Sequence, residues 1–236
     1  MNPVPQPSTL AIAAHLALVL LLCILLVRAV ARAGLRAPLF ALCLCAWLGL
    51  SFALARSGWL LHFERVPPRA LFLLGPGAVL AAGLALGPFG RALLERLPLA
   101  WLVGFQTFRI AVELLLWMLY REGVLPEQMT FEGANLDVAS GISALFVAAL
   151  LARGLCSRWL LWIWNLGALA LLVNIVVIAL RSMPGPWRAY THEPANTIVL
   201  AGVFVWIPAL YVLCAWFGHV LVLRALLRGW PRRSQA

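Results

Sequence analysis

Two residues of opposite charge stand four apart in a run that is otherwise apolar: Arg109 and Glu113, in Phe108-Arg-Ile-Ala-Val-Glu113. On a helix that spacing puts both side chains on one face, a turn apart, where they can pair. Arg109 is 11 residues from each end of the apolar stretch 98–120. It therefore falls near the midplane of any bilayer that the stretch crosses, where a charge costs at least about 2.5–3.5 kcal/mol. Such a pair either locks helix packing or lines a path for a substrate, proton or ion. Burial of an ion pair is by itself weak evidence for stability, because desolvation offsets the attraction. Gln106, three residues before Arg109, and Tyr120, seven after Glu113, lengthen the polar stripe.

A second set of candidates follows. The segment from Arg121 to Asp137 carries Glu127, Glu132, Asn135 and Asp137, and later segments add Asn174 and His192. Together with Arg109 and Glu113 these are the candidate binding residues. Part of the set has a local explanation, since Asn135 or Asp137 suits the N-cap of a following helix and Glu132-Gly133 reads as a turn. Asn165 and Asn174 are nine residues apart and face opposite sides of a helix; Asn174, in the outer half, is the expected companion of Glu113. His62 and His192 lack metal-ligand spacing with their neighbouring carboxylates, so no metal is expected. His15 and His219 lie at different expected depths, which argues against a shared haem iron. The same depth argument separates Ser140 from His219 as a nucleophile and base. No lysine is present among the 18 basic residues, which excludes imine chemistry on lysine. No P-loop or dinucleotide-binding pattern occurs, and no cofactor is expected.

These residues must be held by membrane helices. Hydrophobic residues make up 64% of the 236-residue chain and charged ones 11%, with a mean hydropathy of +0.97; a soluble domain, a disordered chain and a disulfide scaffold are excluded. The pattern predicts an all-α polytopic membrane protein, a single bundle over residues 1–236 with seven spans at about 9–31, 37–55, 70–87, 98–120, 136–152, 159–180 and 196–223. Six spans is the alternative if the third, which carries Gly75-Pro76-Gly77 near its start, is re-entrant. Pro208 near the middle of the last span removes a backbone hydrogen bond and predicts a kink.

One set of loops holds eleven arginines and one acid, Glu95; the other holds six arginines and six acids. The excess of arginine on cytoplasmic loops puts the N-terminus outside and the C-terminus inside. The basic character therefore reads as orientation rather than nucleic-acid binding. The first residues lack a basic region, so a cleaved signal peptide is not expected, and Ser8 suits the N-cap of the first helix. Trp59, Trp101, Trp159, Trp187 and Trp230 fall at expected water–lipid boundaries. Arginine in place of lysine and the richness in alanine, leucine and glycine point to a GC-rich bacterial gene and to the bacterial inner membrane.

The stretch Phe108-Arg109-x3-Glu113 followed by Pro126-Glu127-x-Met129-Thr130-Phe131-Glu132-Gly133-x-Asn135-x-Asp137, with Asn174-Ile175 and Phe204-Val-Trp206-Ile-Pro208, resembles a group of bacterial integral membrane proteins of unknown function. The resemblance covers roughly residues 98–220. It implies that these residues act as one unit and brings no activity with it. From the residues themselves the expected function is binding or transport of a small solute, ion or lipid through an outward-facing polar cavity around Arg109 and Glu113. The alternatives are a structural or assembly partner of a membrane complex, or a membrane-embedded enzyme using Glu113, Glu127, Glu132 or Asp137 with His192. The expected partners are the lipid bilayer, a small-molecule or lipid ligand and a membrane protein, with no nucleic acid.

Overall fold

In the computed structural model, which describes residues 6–229, the described residues form helices and connecting turns, with no strand. The helices are α1 (Thr9–Arg32), α2 (Ala37–Arg56), α3 (Ala70–Leu86), α4 (Pro88–Arg96), α5 (Leu99–Arg121), α6 (Val138–Ala152), α7 (Arg158–Arg181) and α8 (Gly202–Leu227). Each of the seven apolar segments expected from the sequence is helical. Five of them, α1, α2, α5, α7 and α8, are long and apolar enough to cross a membrane. α3 runs through Pro76 and breaks at Gly87, where α4 departs at 55°. α6 has 15 residues. Many large outward-facing side chains are apolar, as Val79 at 74% and Ile163 at 70% exposed illustrate, which suits lipid rather than water. Trp230, expected at a water–lipid boundary, and Arg232 and Arg233, two of the eleven arginines expected on the inner side, lie outside the described residues.

Local chemistry sets the helix ends. The Ser8 hydroxyl accepts from the Ala11 N–H at 3.1 Å and the Ser157 hydroxyl from Leu160 at 3.1 Å, each at an N-cap. α5 closes with Gly123 at φ 72° and a Val124 N–H to Leu119 carbonyl bond of 3.0 Å, a left-handed C-terminal turn that a side chain would strain. Arg224 Nη1 donates to the carbonyls of Ala85 and Gly87, both at 2.7 Å. It thereby covers acceptors that the break after α3 leaves bare.

α8 carries the largest irregularity. Its expected start at residue 196 is not helical in this way: short 3-10 turns at Ile198–Leu200 and Gly202–Val205 lead into a π-helical stretch, Ile207–Val212, that contains Pro208. Pro208, expected to kink this helix, lies within the π segment of a span that runs from Gly202 to Leu227. Trp47 Nε1 donates to the Ala209 carbonyl at 2.8 Å, a partner that a carbonyl inside an apolar medium requires.

The two ends of the bundle are distinct. At the start of α1, Ser8 donates from its N–H (2.9 Å) and hydroxyl (2.5 Å) to the Glu122 carboxylate at the end of α5. The loop at Gly185 lies against the Phe63 carbonyl, and Gln128 Nε2 donates to Ser182 Oγ at 3.0 Å. The loops 57–69, 122–137 and 182–201 therefore gather at this end. At the other end Arg158 Nη2 reaches the Leu226 carbonyl at 2.9 Å. α5 and α8 lie at the centre, with 56% and 67% of their apolar windows buried, against 11% for α2.

α5 and α6 approach closely at Gly141, where an added Cβ would lie 2.7 Å from Ile110 Cγ1 and 2.9 Å from the Ile110 nitrogen. Gly141→Val is expected to destabilise the protein by about 1–3 kcal/mol through overpacking. Gly167→Ala, on an exposed face with open space around it, should stay within about 0.5 kcal/mol. Thermal unfolding in detergent checks both; equal melting of the two variants would contradict the close α5–α6 contact.

Candidate binding site

The Gly141 contact decides what Arg109 meets. Asp137 stands one turn before Gly141 on the same side of α6, so the close approach of the backbones brings its carboxylate to the guanidinium. Arg109 Nε donates to Asp137 Oδ2 at 2.7 Å and Nη2 donates to Oδ1, a two-pronged pairing of planar groups. Arg109 Nη2 also donates to the Ala168 carbonyl at 3.2 Å, and Nη1 to His219 Nε2 at 2.9 Å. The expected pairing of Arg109 with Glu113 is thus corrected. A neighbour one turn along the same helix meets the guanidinium with less favourable geometry than a carboxylate placed across the α5–α6 contact, and Asp137 holds both nitrogens.

The contacts of His219 fix its proton. An arginine N–H can only donate, so His219 Nε2 accepts and the ring is neutral. Nδ1 then carries the hydrogen, which it donates to Asn165 Oδ1 at 2.9 Å. Asn165 Nδ2 returns a bond to the His219 carbonyl at 3.3 Å. Ser140 Oγ completes the group by donating to Asp137 Oδ1 at 3.2 Å. Arg109, Asp137, His219, Asn165 and Ser140 are all buried and tie α5, α6, α7 and α8 together.

Glu113 has a different partner. Asn135 Nδ2 lies 2.8 and 2.7 Å from its two carboxylate oxygens and 3.0 Å from the Met129 carbonyl. Asn135 Oδ1 accepts from the Asp137 N–H at 3.0 Å. Glu113 is 1% exposed, and among the described residues no cationic group forms an ion pair with it. The loop that delivers Asn135 is tightly built. Thr130 Oγ1 donates to the Glu127 carbonyl at 2.9 Å, and the Thr130 carbonyl accepts from Gly133 (3.0 Å) and Asn135 (3.2 Å). Gly133 lies directly against the Glu127 carbonyl and Gln128 Cα, where no side chain fits. Threonine, glycine, asparagine and aspartate of the Pro126–Asp137 stretch thus each have a physical task in placing two polar side chains.

A cavity of about 70 Å³ adjoins this group. Arg109, Glu113, Asp137 and Tyr211 contribute to its lining, and aliphatic side chains such as Leu116 and Leu172 supply most of the rest. The space exceeds the 10–15 Å³ that one water needs and falls well short of the 300–1,000 Å³ of a drug-sized pocket. Tyr211 Oη is 2.9 Å from Nδ1 of the buried His15, whose Nε2 is 2.9 Å from the Val203 carbonyl.

Of the eight candidate binding residues, Arg109, Glu113, Asn135 and Asp137 come together. The others do not. Asn174, expected beside Glu113, is exposed and donates to the Ala134 carbonyl at 3.2 Å. Glu132 accepts from Trp117 Nε1 at 2.7 Å. Glu127 and His192 are exposed. Neither Asn135 nor Asp137 caps α6 with its side chain; both are taken up by the buried group. His219 and Asn165 were missed as site residues. The helix through His219 begins and ends later than expected, which moves its midpoint about five residues along the chain and brings His219 level with Arg109. The depth argument that separated Ser140 from His219 fails for the same reason, although Asp137 and Arg109 stand between them.

Residues 66–227 match a domain of unknown function, DUF8737. The match covers more than half of the chain, which belongs to that family, and it includes every residue of the buried group. No curated protein and no solved structure matches the chain.

Arg109→Leu leaves Asp137 buried without its cation, a change that typically costs about 3–5 kcal/mol. The yield of folded, monodisperse protein should fall sharply. Arg109→Leu with Asp137→Leu should recover it, whereas Arg109→Leu with Glu113→Leu should not. Recovery by the second pair instead of the first would contradict the assigned pairing.

Proposed function

We propose that this member of the DUF8737 family is a seven-span protein of the bacterial inner membrane, N-terminus outside and C-terminus inside, which binds a small solute or cation at Glu113 for uptake, release or sensing from the outer side. The arginine excess on one set of loops supports the orientation. The gathering of the loops 57–69, 122–137 and 182–201 at one end agrees with it, because in a seven-span chain with its N-terminus outside these three connections share the outer face.

The observation that carries the functional reading is the position of Glu113. Packing alone accounts for Arg109 and Asp137, which satisfy one another. It does not account for a further carboxylate, almost fully buried beside a cavity, which has the Asn135 amide as hydrogen-bond donor and feels the Arg109 charge without a direct contact to it. A charge in an apolar interior is costly unless a proton or a cation joins it. Glu113 thus has the chemistry of a group that exchanges one for the other. A second reading has its own support: the Arg109 group links four helices, as a scaffold for assembly would. The two readings differ in what they require of Glu113.

Glu113→Gln keeps the shape and the Asn135 contact while removing the ionisable group. It should express and melt near the wild type at one pH, and its melting temperature should change less between pH 5 and 9 than that of the wild type. Collapse of folding in Glu113→Gln, or superimposed pH profiles, would assign Glu113 to structure alone. For the orientation, single cysteines introduced at Glu127 and Glu193 should react with a membrane-impermeant thiol reagent in whole cells. Cysteines at Arg96 and Arg153 should be protected; the reverse pattern would invert the topology.

A further inference from the structure

The polar groups in the cavity wall are already engaged. Glu113 accepts from Asn135, Asp137 from Arg109, and the Tyr211 hydroxyl is bonded to His15. The rest of the wall is aliphatic, from side chains such as Val112, Leu116, Leu172 and Ile207. A ligand that placed polar atoms here would leave them without partners, at a cost. What the space accepts is hydrocarbon.

Its opening faces hydrocarbon too. Under the loops the cavity is closed by Met129, Met183, Val199 and Leu200, each at most 4% exposed. The half-buried wall residues lie within spans instead: Leu74 on α3, Val212 on α8, and Ile175, Val176 and Ala179 on α7. α3 and α7 both pack against α8 and have little contact with one another. The rim is therefore on the sides of helices, at a depth where lipid chains surround the bundle. The wall extends over Phe108–Leu116 on α5 and Leu172–Leu180 on α7, a rise of roughly 12 Å. A volume of about 70 Å³ drawn out over that length is a slot, narrow enough for a single chain that continues out through the rim.

Two arginines stand at the loop end of this slot. Arg69 immediately precedes the wall residue Ala70, and Arg181 immediately follows the wall residue Leu180. They belong to α3 and α7, the helices on either side of α8 at the rim. Arg181 is exposed, Arg69 half-buried, and among the described residues neither forms an ion pair. Arg69 lies 4.8 Å over the Trp59 ring and donates to the Trp59 carbonyl at 2.9 Å, and tryptophan marks the headgroup level of a bilayer. Cations at that level attract lipid phosphate, and arginine suits a phosphate geometrically. We infer that the slot between α3, α7 and α8 binds one membrane phospholipid, an acyl chain inside it and the phosphate at Arg69 and Arg181.

This inference does not rest on the reading of Glu113, because the chain takes the aliphatic part of the space. A lipid tail gains no hydrophobic energy by leaving the bilayer for a wall as apolar as itself. Retention therefore comes from packing that an unfilled slot forfeits and from the two charges at its end.

The test uses the purified full chain in detergent with added dioleoylphosphatidylglycerol. Native mass spectrometry should show a single lipid retained per chain, saturating as lipid is added. A diazirine at the end of the acyl chain should label α7 between Leu172 and Leu180 and α8 between Ile207 and Ala215. Val176→Phe with Ala179→Phe, which fills the rim, should weaken retention about tenfold. Ile163→Phe, on the lipid-facing side of the same helix, should leave it unchanged. Should the filled variant not fold, Ala179→Leu alone should still lower the labelling of α8. Arg69→Gln with Arg181→Gln should raise the half-saturation concentration of the phospholipid about tenfold and leave that of dioleoylglycerol, which has no phosphate, as it was. Glu113→Gln should keep the lipid, so that failure here and failure of the Glu113 reading are told apart. Label spread evenly over the cavity wall, Val79 and Ile163 would show only lipid coating the bundle and would overturn the inference. Retention unaffected by a folded rim variant would overturn it as well, and binding of dioleoylglycerol equal to that of the phospholipid would overturn the phosphate assignment.

Discussion

A guanidinium buried among helices has five N–H groups and no water to receive them, and the rest of this bundle follows from that demand. Asp137 takes two of them, the Ala168 carbonyl one and His219 one. Each acceptor comes from a different helix, so satisfying one side chain on α5 fixes α6, α7 and α8 around it. The requirement extends outward. His219 can accept only if its other nitrogen donates, which calls for Asn165. Asp137 can lie level with Arg109 only because Gly141 lets α5 and α6 meet.

Much of this could be read from the chain. The helical segments follow from apolar run length, and their observed limits fall within a few residues of the expected ones except in α8. Arg109 and Glu113 were visible because charge in a long apolar run is costly enough to require a partner or a task. The motif between Pro126 and Asp137 also marked Asn135 and Asp137 as parts of one unit. What the sequence could not supply was the pairing. Helical spacing ranks neighbours on the same helix, and it is silent about carboxylates that arrive from the next one. Asn174 had the better apparent depth, yet the loop carbonyl of Ala134 takes its amide.

α8 shows why depth along a sequence misleads. Its first helical residues form 3-10 turns and a π segment rather than a continuous α-helix, so residues per unit of rise change along its length. Counting from the hydrophobic boundary therefore placed His219 too near the inner end. Irregular backbone at this depth is tolerated where other groups meet the freed carbonyls, as Trp47 does for Ala209. The same stretch contributes Ile207, Pro208 and Tyr211 to the cavity wall. The irregularity and the cavity are two aspects of one departure from regular packing.

The side-chain amide of Asn135 has two hydrogens and three acceptors around it, the Glu113 oxygens and the Met129 carbonyl, while its own oxygen holds the Asp137 backbone. The segment between α5 and α6 therefore cannot shift as an independent flap. Any displacement of it uncovers the buried acid and slackens the first turn of α6 in one motion. The contacts that hold the Glu113 carboxylate and the first turn of α6 therefore meet in one side chain, that of Asn135.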